Sequence, residues 1–196
     1  MVKKLSTPNR FLVLLVGLLL IAACFTPLWS IRLVAPQYPE GMGMHIWVNK
    51  ITGHAQFDLK NINILNHYIG MAPIVEESIP ELQFMPYLLG YMIAGALVTF
   101  LWPRRFLVWA GLINLALVGT AGFYDFWRWE YNYGHNLNPE APISIPGMAY
   151  QPPILGCKQI LNIESCSWPH IGGISLLLIG IILSYILYSE RFKKRA

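Results

Sequence analysis

The chain has 196 residues, of which 55% are hydrophobic and 12% charged. A soluble domain of this length needs more charge than that, and the apolar residues here are gathered into long runs, which excludes an ordinary water-soluble fold. The formal net charge of +4 comes without a basic groove interleaved with aromatics, so it gives no sign of nucleic-acid binding.

In chain order, Lys3, Lys4 and Arg10 precede a first apolar run at about residues 11–30. Its length suits a helix crossing a bilayer, which takes about 20 residues. Ile21-Ala22-Ala23-Cys24 has the look of a lipoprotein cleavage box that would leave Cys24 lipidated. Phe25, Leu28, Trp29 and Ile31 continue the hydrophobicity and favour an uncleaved anchor. Residues 31–85 form a polar segment. Within it, Met44–Asn49 alternates with Met44, Ile46 and Val48 on one face and His45 and Trp47 on the other. Thr52-Gly53 reads as a turn into His54–Phe57, which predicts a short hairpin. Asp58 is expected to cap a helix over about 59–69, ended by Gly70. Ile62, Leu65 and Ile69 give it an apolar stripe, so it is expected on the membrane surface or against the hairpin. Glu76, Glu77 and Glu81 read as a solvated acidic face.

Pro86 starts a second apolar run, 87–102, and Arg104-Arg105 link it to a third, 106–126. The aromatic-dense stretch Phe123–Tyr133 suits a membrane–water interface. Residues 127–170 hold six prolines and few periodic runs, and read as an extended loop. Pro169 starts the fourth run, 171–188, which Arg191, Lys193, Lys194 and Arg195 follow. A soluble bundle would need polar faces on these helices, and they have none. Gly90 with Gly95, and Gly172-Gly173, are expected to let helices pack closely.

Nine of the fourteen basic residues thus fall in short segments that alternate topology places on one side. The positive-inside rule makes that side cytoplasmic. The expectation is an α-helical integral membrane protein, one membrane domain over 1–196, in the inner (cytoplasmic) membrane of a bacterium. It would have four transmembrane helices, both termini cytoplasmic, membrane lipid around it, and a small extracytoplasmic cap of a short β-hairpin plus an interfacial helix. Residues 31–85 and 127–170 would form that cap.

All five histidines and two of the three cysteines lie in these outer segments. Cys157 and Cys166 in an oxidising compartment read first as a disulfide, with a thiolate metal pair as the alternative. Met44, His45, His67, Met71 and His135 are the candidate metal ligands, with copper as the metal. Imidazole binds copper in both oxidation states, and thioether sulfur favours the cuprous ion. His54 and His170 rank below them. Asp125 and Glu130 are expected to orient an imidazole through its second nitrogen. For Asp125 the plainer reading is a pair with Arg128, one helical turn on. No phosphate-binding glycine loop, zinc-protease motif, nucleophile elbow or haem attachment motif is present, so a non-enzyme is expected.

APQYPEGMGM, NINILNHYIGM, YGHNLNPEAPI and QPPILGCKQILN resemble segments of bacterial four-span membrane proteins found beside the copper-delivery and maturation genes of nitrous oxide reductase. Met42 and Met44 stand where that group suggests ordinary apolar residues. The resemblance implies an accessory role in envelope copper handling or reductase maturation, with an extracytoplasmic copper protein or redox enzyme as partner. It implies no ligand set. The competing reading is a non-catalytic scaffold subunit of a membrane redox complex that docks an extracytoplasmic partner.

Overall fold

The computed structural model describes residues 4–192. Lys3, Lys193, Lys194 and Arg195, all part of the charge count above, lie outside the described residues. Among the described residues, four helices are long and apolar enough to cross a membrane. They are α1 (Thr7–Cys24), α3 (Glu81–Leu101), α4 (Arg105–His135) and α5 (Ile171–Phe192). They pack as a bundle, α1 against α3 and α5, and α4 against α5 and α3. Val13, Val16 and Leu20 of α1 meet Val108 of α4 and Ile179, Leu183 and Ile186 of α5 in its core. Large apolar side chains such as Phe11, Leu18, Leu117 and Ile181 point outward. Helices apolar on every side, with all main-chain bonds made internally, suit a hydrocarbon surround.

Each end of the bundle has its own chemistry. At one end, the Ser6 amide and hydroxyl donate to Glu190 Oε1 at 2.8 and 2.7 Å. Asn9 Nδ2 donates to the same oxygen at 2.6 Å. Arg10 Nε donates to the Phe100 carbonyl at 2.8 Å, and Arg104 and Arg105 lie at the nearby α3–α4 link. Glu190 therefore closes the bundle as an acceptor for the start of α1.

The other end carries a five-stranded antiparallel sheet in the order β3-β2-β1-β5-β4. The strands are β1 (Trp29–Ala35), β2 (Tyr38–Ile46), β3 (Ile51–Gly53), β4 (Gly156–Ile160) and β5 (Ile163–Pro169). This is larger than the expected hairpin. Residues Trp29 and Ser30, taken as the end of the first span, belong to β1. His54–Phe57 is not a strand, because Trp47–Lys50 makes the turn and β3 ends at Gly53. The second outer segment is not simply an extended loop. α4 runs on to His135, and β4–β5 form a hairpin whose β5 pairs with β1, Ile31 opposite Ser167. That pairing joins strands far apart in the chain, so no local pattern announces it.

Two further expectations change. Asp58 is the first residue of α2 (Asp58–Ile69) and does not cap it; the N-cap is Phe57. Its carboxylate instead accepts the Gly43 and Ala55 amides at 3.0 and 3.1 Å. Gly90 and Gly95 have no neighbour that a Cβ would touch, while Gly172 and Gly173 pack on the Thr26–Leu28 link and not on another helix. Gly70, with φ 80°, does end α2. Glu76 accepts the Ile51 amide at 3.1 Å, so it ties down β3 as well as facing solvent.

One face of the sheet is the floor of a second core. Ile31, Met42, Met44 and Ile51 pack there with Ile62 of α2, Ile74 and Leu82. Phe126, Trp129 and Tyr133 of α4 pack against the same cluster. A 31-residue helix is about 46 Å long at 1.5 Å per residue. A hydrocarbon layer is about 30 Å thick. The apolar part, 106–126, is long enough to cross such a layer, and Trp129 and Tyr133 beyond it pack against the second core.

Candidate functional site

Antiparallel register decides what sits on each face of the sheet. Side chains alternate along a strand, so Met44 and His45 point to opposite faces. Met44 is opposite Ile31 on the core face, and His45 is opposite Ser30 on the other. His45 also pairs with Thr52, which puts His54, two residues on, on the face of His45. Ser30 is opposite Trp168, so His170, two residues beyond Trp168, is on that face as well.

The result is a cluster of three imidazoles. The His45 ring lies 4.2 Å from that of His54 and 4.7 Å from that of His170, centroid to centroid. His54 Nε2 and Ser30 Oγ are 3.0 Å apart, and the Met44 backbone hydrogen-bonds the His54 ring. Gly43 makes room for that ring, since a Cβ there would lie 2.5 Å from His54 Nδ1 and 2.7 Å from the Ile31 carbonyl. His170 Nδ1 is buried and has no hydrogen-bond partner among the described residues.

Burial lowers the pKa of His45, and the neighbouring His54 and His170 lower it further. Burial lowers that of His54 too, with Arg32 and His170 acting in the same sense and Asp58 and the Met44 backbone bond against it. Neutral imidazoles have the lone pairs a metal needs. Arg32, on the same face, acts against a bound cation. In this arrangement the rings meet edge-on or tilted, at interplanar angles of 89° and 53°. Among the described residues, the His, Cys, Asp and Glu ligand atoms that form a group of three within 4.8 Å of one another are those of Cys157, Glu164 and Cys166. Those two sulfurs form a disulfide. A metal held by the three histidines would therefore require ring rotation.

The expected ligand set does not assemble as one group. His45 joins His54 and His170, the two histidines ranked lower from sequence. His67 is exposed beside Tyr68. His135 stacks on Tyr131 at 3.9 Å, and its Nδ1 lies 2.9 Å from the Tyr131 carbonyl. Asp125 is within electrostatic range of Glu81 as well as Arg128. The signal for His54 and His170 was in the sequence only as spacing from strands. It needed the β1–β5 and β2–β3 registers to be read.

Met44, Met71 and Glu130 lie instead along one cavity on the core side of the sheet. Its volume is ≈ 70 Å³, and Ile31, Asn66 and Tyr150 line it too. Glu130 is 0% exposed, and among the described residues neither of its carboxyl oxygens has a hydrogen-bond partner, so it orients no imidazole there. Burial pushes its pKa up to about 8, because an apolar surround disfavours the charged form. No protein-family model matches this chain, and no curated protein does either, so its chemistry rests on its own residues.

Proposed function

We propose that this is a membrane accessory protein for copper handling outside the cytoplasm, or for maturation of a copper redox enzyme of the nitrous oxide reductase type. The observation that carries the reading is the packing of His45, His54 and His170 on one face of the sheet. Three imidazoles with ring centroids within 4.7 Å of the His45 ring give nitrogen donors suited to copper, with side-chain freedom for capture and release. The ends of the bundle support the orientation, since Arg10, Arg104, Arg105 and Arg191 belong to the end away from the sheet. By the positive-inside rule that end is cytoplasmic, which puts the sheet outside the inner membrane of a bacterium. The test is cupric binding by purified protein in nanodiscs, followed by electron paramagnetic resonance. Wild type should show nitrogen hyperfine structure that His45→Ala and His170→Ala remove. Equal cupric binding in wild type and a triple histidine variant would sink the reading.

One observation favours the scaffold reading. Tyr124, Trp127 and Tyr131 form an exposed ladder on α4, with ring centroids 5.8 and 5.6 Å apart. Aromatic residues of this kind are enriched where proteins dock. Copurification of a stable partner that survives Trp127→Ala, or its absence from wild type, would count against it.

A further inference from the structure

We propose that the cavity beneath the sheet is a binding site for a soft monovalent cation, the cuprous ion or its analogue Ag⁺, held by Glu130, Met44 and Met71. The inference goes beyond the imidazole cluster and does not depend on it, because the two lie on opposite faces of the sheet.

The starting point is an orphaned carboxyl. Glu130 is fully buried, and among the described residues both of its oxygens lack a hydrogen-bond partner. Buried polar groups are nearly always satisfied, so an unsatisfied one asks for a cause, a bound ion being one. Core packing does not supply it, since a leucine would fill the position without the desolvation cost. The Tyr150 hydroxyl on the same cavity is also buried and unpartnered.

The walls then select the guest. None of the residues lining the cavity is basic, and Glu130 is the one acid among them. A single positive charge brings the site to neutrality, whereas a divalent ion leaves an excess charge in an apolar surround, which is costly. The other donors that stand out are the thioethers of Met44 and Met71. Thioether sulfur is soft and selects Cu⁺ over hard ions such as Na⁺ or Ca²⁺. Charge and softness point to the same ion. Each donor comes from a different part of the cap: Met44 from β2, Met71 from just after α2, and Glu130 from the end of α4. An ion there would clamp sheet, helix and bundle together.

The test uses the full chain in nanodiscs with His45, His54 and His170 replaced by alanine, so that only this cavity is read. Cu⁺ is titrated anaerobically against a chromophoric chelator, and Ag⁺ is used as the redox-inert probe. One equivalent should bind. Met71→Leu and Glu130→Gln, which keep side-chain size, should each weaken it by at least about tenfold. X-ray absorption of the Cu⁺-loaded triple-histidine variant should show sulfur scatterers, a readout that needs no change in the cavity. Affinity unchanged by both cavity substitutions, no bound equivalent, or a spectrum with nitrogen and oxygen scatterers alone would overturn the proposal. Loss of cupric binding in the histidine variants would leave this result untouched, so the two proposals fail separately.

Discussion

Single positions decide both candidate sites. Gly43 is one: any Cβ there strikes the His54 ring and the Ile31 carbonyl. Gly43→Ala should still fold but lose about 1–3 kcal/mol, the usual cost of overpacking. It should also weaken cupric binding, which titration of the purified variant measures. Glu130 is the other. Folding takes it from an ordinary carboxyl, near 4.5, to one at about 8. The folded protein holds this proton more tightly than the unfolded chain. Its contribution to stability is therefore full below about pH 4.5 and is lost as pH rises through about 8. The unfolding temperature of metal-free wild type should drop between pH 6 and 9, and Glu130→Gln should drop much less. His45 and His54 titrate in the opposite sense. Their lowered pKa values give stability that is present above the unfolded value of about 6.5 and lost as pH falls. From sequence, His45 and Met44 were readable as donors on opposite faces, since alternation alone separates them. That Met44 shares a cavity with Glu130 and His45 adjoins His170 was not, because each partner comes from a distant segment.

Among the elements, the cap hairpin β4–β5 makes a sharp prediction. Cys157 is directly opposite Cys166 in its register, and the pair is bonded. A bridge across so short a loop contributes about 2–3 kcal/mol on the chain-entropy model. Reducing it, or making Cys157→Ser with Cys166→Ser, should lower stability by that amount in denaturant unfolding. The corner between β2, β3 and α2 depends on Asp58. Asp58→Ala leaves the buried Gly43 amide without an acceptor and should cost about 1–3 kcal/mol, read as a fall in unfolding temperature. The four long helices were legible because length and hydrophobicity suffice to identify them. Gly70 as a stop was legible because a left-handed residue after a helix favours glycine. The strands at 29–35 and 156–169 were not. Trp29–Ala35 continues the hydrophobicity of α1, and Gly156–Pro169 lies in a proline-rich segment with little alternation. Both are strands because they pair with one another, β1 with β5, across more than half the chain.

At the scale of the molecule, the bundle places its basic end and its sheet apart. In intact bacteria, single cysteines introduced at Lys50 or Gln159 should react with a membrane-impermeant thiol reagent, whereas one at Arg104 should not. The opposite pattern would reverse the orientation and with it the compartment in which copper would be met. The sequence alone determined that apolar helices form a membrane-sized bundle and that the histidines lie between them. Both follow from composition and length, which need no knowledge of contacts. Only the tertiary structure decided which histidines meet and which carboxyl is sealed in. Strand register and the overhang of α4 set those neighbours, and both arise from pairing between segments that the chain keeps far apart.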